Sequence, residues 1–152
     1  MAEHTDLIEI HKQHRAGQDK YTYFLLAVTA SAIAFSVQKT TNLILSWSML
    51  PLALAVLLWG TSFFFGCKNL HWVQASIYAN YSLLQLQKGV HRNQPNHPQL
   101  VEAAIKGVDS AIETNVDNAD FYAKWQFRLL IIGAVLFLIW HVIEMAIRTW
   151  VQ

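Results

Sequence analysis

The sequence predicts an all-α integral membrane protein with three transmembrane helices, and three observations carry that prediction. Of the 152 residues, 54% are hydrophobic and only 14% charged, against about 25% charged in an ordinary soluble domain. Three apolar stretches, at 21–37, 43–67 and 129–147, approach or reach the roughly 20 residues that a helix needs to cross hydrocarbon. The polar connection at 68–128 keeps a helical apolar period, so helices 2 and 3 are expected to extend beyond the membrane as an antiparallel helical hairpin.

The first segment, 1–20, mixes Glu3, Asp6, Glu9 and Asp19 with Lys12, Arg15 and Lys20. It lacks the apolar core of a signal peptide. Thr5 or Asp6 as cap and a stripe of Leu7, Ile10 and His14 predict a separate amphipathic helix packed alongside the hairpin. The first span follows at 21–37, with Ala27, Ala30, Ser31 and Ala34 spaced so that another helix can approach closely. The link QKTTN at 38–42 allows only a tight turn, so spans one and two run antiparallel. In the second span, 43–67, Gly60, Ser62 and Gly66 repeat the small-residue spacing. Pro51, preceded by Ser46 and Ser48, marks either a kink or a late helix start.

Beyond the second span the apolar positions Leu70, Val73, Ile77, Tyr81 and Leu84 fall three or four apart, the pattern of one buried seam. Trp72, Leu83 and Leu86 form a second face. The helix is expected to run to about Lys88 and to turn near 89–99, where Gly89, Pro95 and Pro98 stop one helix and prepare the next. The pattern then resumes as Val101, Ile105, Val108, Ile112, Val116, Ala119 and Tyr122 and leads into the third span at 129–147. The place for a break, if this helix has one, is Gly107 or the stretch holding Asn115, Asp117, Asn118 and Asp120, all poor helix formers.

Lys and Arg fix the expected direction, because cytoplasmic flanks carry the excess. Lys12, Arg15 and Lys20 precede the first span and Lys68, Lys88, Arg92, Lys106, Lys124 and Arg128 lie in the connection, leaving Lys39 and Arg148 for the opposite side. The N-terminus and hairpin are expected in the cytoplasm of a bacterial inner membrane, with the C-terminus outside. Tyr21, Tyr23, Tyr122 and Trp125 would mark the inner interface, and Trp47 and Trp150 the outer one.

The net charge of +1 argues against a nucleic acid as partner. No phosphate-binding glycine loop, nucleophile elbow or zinc-protease motif occurs in the sequence, so no enzyme, cofactor or metal is expected. Cys67, the single cysteine, reads as a small buried thiol. His4, His91 and His97 fall toward the expected tip of the hairpin without a cysteine or a finger spacing, which favours solvated loop histidines over zinc ligands.

The ionisable residues of the third span are the sharpest feature. His141 and Glu144 share a helix face, and Glu144 stands four residues before Arg148, a spacing that permits an ion pair at the outer interface. The functional reading makes this a polar ring repeated around an axis, with Thr29, Ser36, Ser48, Thr61 and Ser62 as further pore-lining candidates. Ala27, Ser31, Ala34, Gly60 and Gly66 in the spans, and Leu70, Val73, Ile77, Tyr81 and Leu84 on the hairpin, are the packing and oligomer candidates. The expected function is a homo-oligomeric, bilayer-embedded protein that forms a pore or permeabilises the membrane, with the hairpin assembling or sensing. The alternative is a membrane anchor whose hairpin recruits a cytoplasmic protein partner.

Overall fold

A computed structural model describes residues 2–41 and 46–150, with the side chains of 2–16 and 19 outside the described residues. Three helices, α1 (Ala2–Thr40), α2 (Leu50–Gln87) and α3 (Pro98–Trp150), and one 3-10 turn at Trp47–Met49 make up the fold, with no strand among the described residues. Three helical segments are long and apolar enough to cross a membrane: Lys20–Thr40, Trp47–Gln87 and Pro98–Trp150. The chain divides into two compact units, Met1–Gly66 with Trp125–Gln152, and Cys67–Lys124.

The helix α1 has no break near residue 20, so the segment expected as a separate N-terminal helix is the start of the first span's helix. Thr5 and Asp6 lie inside it rather than capping it; neither proline nor a run of glycines interrupts 2–40. The expected stripe of Leu7, Ile10 and His14, its packing beside the hairpin, and the placement of the His4 ring fall on side chains outside the described residues. Pro51 stands in the first turn of α2, where its missing N–H has no intrahelical acceptor to lose. Of the two readings of Pro51, the late start is the one observed. Residues 42–45, where the second span was expected to begin, lie outside the described residues.

The turn between α2 and α3 follows from its glycine. Gly89 adopts φ +70°, a left-handed conformation open to glycine at little steric cost. The Gly89 N–H then donates to Leu86 O at 3.1 Å and the Val90 N–H to Gln85 O at 3.0 Å, the pair of bonds of a Schellman cap. Pro98 opens α3, and His97 caps it by accepting the Gln99 N–H on Nδ1 at 3.3 Å. No break occurs at Gly107 or at 110–120. Lys106 pairs with Glu102 and Lys124 with Asp120, one turn apart on α3, which supports an exposed helix by a few tenths of a kcal/mol per pair.

In the first unit, inward positions recur every seven residues: Thr22, Thr29 and Ser36 on α1, Ala55 with Ser62 and Leu52 with Trp59 on α2, Gln126 and Trp140 on α3. A strict seven-residue repeat is the geometry of helices coiled left-handedly about one another. Its largest fully buried side chains are polar, Gln126, Thr29, Ser36 and Ser62, while Leu25, Trp59 and Leu130 form a small apolar cluster with Phe137 packed against it. Helices α2 and α3 are antiparallel and close: Trp59 Nε1 donates to Leu130 O at 3.2 Å and Ser62 Oγ to Gln126 O at 2.7 Å. Glycines allow the approach, since a Cβ on Gly133 would lie 2.6 Å from Trp59 Nε1 and 3.2 Å from Ala55 O.

The second unit is an antiparallel pair in which α2 buries Asn69, Ser76 and Leu86. Asn69 Nδ2 donates to Ala119 O at 2.7 Å. The expected seam of α2 is turned the other way: Ile77 is 42%, Tyr81 59% and Leu84 53% exposed, and only Leu70 and Val73 are half-buried. Conversely Leu86 is buried, and Trp72 and Leu83 half-buried, so from Ile77 onward the two faces of this limb exchange roles. Small residues explain it, because Ser76 and Ala79 let the backbones come together where Ile77 and Tyr81 would hold them apart. On α3 the expected stripe is inward except for Val116, which is exposed while Asn115 is half-buried. Cys67 is exposed, not buried, because Gly66 and Asn69 take the inward positions beside it.

Candidate functional site

The polar residues of the spans separate into two groups. Thr29, Ser36 and Ser62 are buried within the bundle of a single chain. Their hydroxyls donate to Leu25 O, Ala32 O and Gln126 O at 2.7, 2.9 and 2.7 Å. A hydroxyl returned to a backbone carbonyl is satisfied without water and removes a polar group from the apolar surroundings. Thr61 is exposed and donates to Leu57 O at 2.9 Å. Ser48, in the 3-10 turn, lies 2.7 Å from Ser46 Oγ.

His141, Glu144 and Arg148 gather at the end of α3. Arg148 Nε donates to Glu144 Oε1 at 3.1 Å, with 21% of the Glu144 side chain and 68% of the Arg148 side chain exposed. His141 is exposed, its ring 6.4 Å from that of Trp140, and makes no hydrogen bond among the described residues. The end of α1 comes to the same place: Phe35 packs edge-on against Phe137 at 6.1 Å, and Lys39 Nζ lies 5.5 Å from the centre of the Phe35 ring. Phe35, Lys39, Phe137, Trp140, His141, Glu144, Met145 and Arg148 line one groove of about 330 Å³.

Of the packing candidates expected in the spans, most point outward. Ala27, Ser31, Ala34 and Gly60 are exposed, and only Gly66 is buried, where an added Cβ would meet Gln126 Nε2 at 2.5 Å and Leu26 Cδ2 at 2.7 Å. The histidines of the turn are tied to it: His91 Nδ1 accepts the Asn93 N–H at 3.2 Å, as His97 does for Gln99. No group of three or more metal-ligating side chains occurs among the described residues.

Among the interior residues that escaped the sequence reading are Gln126, Trp59 and Asn69. Each lies on a seven-residue ladder visible in the sequence, Ser62, Asn69 and Ser76 on one helix, Ala119, Gln126, Gly133 and Trp140 on another, with Trp59 and Gly66 forming a third. A search for small and polar heptads, rather than apolar ones, finds Asn69 and Gln126, and Trp59 stands one heptad before Gly66. Comparison with known proteins finds no matching family model, no matching curated protein and no matching solved structure.

Proposed function

We propose that this chain is an integral membrane protein of a bacterial inner membrane, with its N-terminus and the hairpin 68–128 in the cytoplasm and its C-terminus outside. Copies assemble through the hairpin into a complex that permeabilises the membrane. The observation that carries this reading is the exposed face of Ile77, Tyr78, Tyr81 and Leu84 on α2. In water, burying one such Ile or Leu contributes up to about 1.5–3 kcal/mol, less the cost of ordering two chains.

Charge indicates why copies meet on this limb. Between Lys68 and Lys88 the sequence holds no charged residue, whereas α3 carries Glu102, Asp109, Glu113, Asp117 and Asp120 against Lys106 and Lys124 over the same unit. Two neutral faces meet without the like-charge repulsion that two acidic ones would suffer. A path between copies draws on outward polar groups such as Thr61 and His141, since Thr29, Ser36 and Ser62 are already tied inside one bundle. The same aromatic face supports a second reading, an anchor that recruits a cytoplasmic protein, because Tyr is enriched where proteins dock.

Reporter fusions test the placement: one after Gln152 reads non-cytoplasmic and one inserted near Asn93 reads cytoplasmic, and the reverse pattern would sink the topology. Dye efflux from proteoliposomes tests the activity. The purified chain releases dye and the double variant Ile77→Glu/Tyr81→Glu does not; efflux absent from both shifts the assignment to the anchor.

A further inference from the structure

The groove at the ends of α1 and α3 has the composition of a headgroup site. Two cations, Lys39 and Arg148, and one carboxylate, Glu144, line it together with the rings of Phe35 and Phe137. Lys39 has no carboxylate in ion-pair range among the described residues and lies over Phe35 at 5.5 Å. Arg148 engages Glu144 through Nε alone, so its two terminal nitrogens stay available to a second acceptor among the described residues, as a planar five-donor guanidinium permits. On Glu144 it is Oε1 that accepts this bond, and no other hydrogen bond to its carboxylate occurs among the described residues. Trp140 is 4% exposed, and its indole nitrogen is buried without a hydrogen-bond partner among the described residues.

The charge balance selects the ligand. Two cations and one carboxylate leave a single positive charge, and the C-terminal ends of α1 and α3 add partial negative charge, about half an elementary charge each by the helix dipole. The groove is therefore close to neutral, with its positive and negative groups at separate points. A free dianion gains little from such a site. A headgroup that carries both a phosphate and an ammonium matches it, with its acyl chains along Phe35, Phe137 and Met145.

We propose that this groove seats the headgroup of a zwitterionic phospholipid, the phosphate on Lys39 and Arg148 and the ammonium on Glu144. The site rests on the membrane placement given above and not on permeabilisation. A lipid held here engages Glu144 and leaves Thr61 and His141 to a path between copies.

Native mass spectrometry of the detergent-purified chain tests the proposal, with phosphatidylethanolamine, phosphatidylglycerol and soluble phosphoethanolamine as probes. The wild type is expected to retain phosphatidylethanolamine over phosphatidylglycerol. Lys39→Gln and Arg148→Gln each lower that retention by about fivefold, the value of one basic residue near a lipid surface. Glu144→Gln inverts the preference toward phosphatidylglycerol, a gain that a misfolded variant does not produce. Equal retention of both lipids by the wild type and all three variants overturns the site, and displacement of lipid by millimolar phosphoethanolamine overturns its assignment to a membrane lipid. Because the fusions read topology independently, an inserted chain without lipid selectivity sinks this site alone.

Discussion

The two units of this chain solve the same packing problem with opposite surfaces. In the first, polar side chains such as Gln126 and Thr29 are fully buried, while Phe24, Leu57 and Leu138 are left outside. In the second, Asn69 and Ser76 are again inside, yet the outer surface is mixed, with Ile77 and Tyr81 on one helix and Glu102, Lys106 and Asp109 on the other. An outer shell of large apolar groups is stable against hydrocarbon, where burying another leucine gains nothing and close backbones, dispersion and interhelical hydrogen bonds hold helices together. Against water the same shell is tolerated only in patches, and the exposed patch of Ile77, Tyr78, Tyr81 and Leu84 is the meeting surface proposed above. In both units small and polar residues share the interior with a few large apolar ones such as Trp59, Leu130 and Leu86, while the remaining large apolar residues set the character of the outer surface.

The comparison breaks most visibly at Gly133. An added side chain there meets the Trp59 ring and the Ala55 carbonyl, neither of which yields easily, so Gly133→Val is expected to destabilise the span bundle by about 3 kcal/mol, the upper end for overpacking. Thermal unfolding in detergent reads it, and Gly60→Val, where nothing lies within 4 Å, serves as the near-neutral control. In the second unit Asn69→Ala removes the bond to Ala119 O, a loss of about 1–1.5 kcal/mol visible as faster amide exchange in 69–124. The smallest effect has the opposite sign: Gly107→Ala meets open space on α3 and stabilises the helix by up to about 1 kcal/mol, raising the unfolding midpoint of the second unit.

Much of the architecture was legible before the structure. Three long apolar helices, the turn built on Gly89 and Pro98, the inward stripe of α3 from Val101 to Tyr122 apart from Val116 and the pairing of Glu144 with Arg148 all follow from hydropathy, backbone restriction and helical spacing. The inward face of α2 did not follow, and the reason is physical. A search by hydrophobic period selects the largest apolar residues, which is sound where water drives folding, but on α2 those are Ile77, Tyr81 and Leu84, and close approach to α3 needs Ser76 and Asn69 instead. The groove was half legible: His141, Glu144 and Arg148 share one helix, whereas Lys39 and Phe35 reach it from a hundred residues away, a proximity that no local spacing encodes.

The most direct test of the account is the mass of the purified chain in nanodiscs free of added partners, measured for the wild type and for Ile77→Glu/Tyr81→Glu. Both substituted positions are exposed, so the variant keeps its helical content to within about 0.5 kcal/mol of stability, as surface changes do. Several copies per disc are expected for the wild type and one for the variant. A single copy in both, or an assembly that the variant leaves intact, would contradict the claim that the outward face of α2 is where copies of this protein meet.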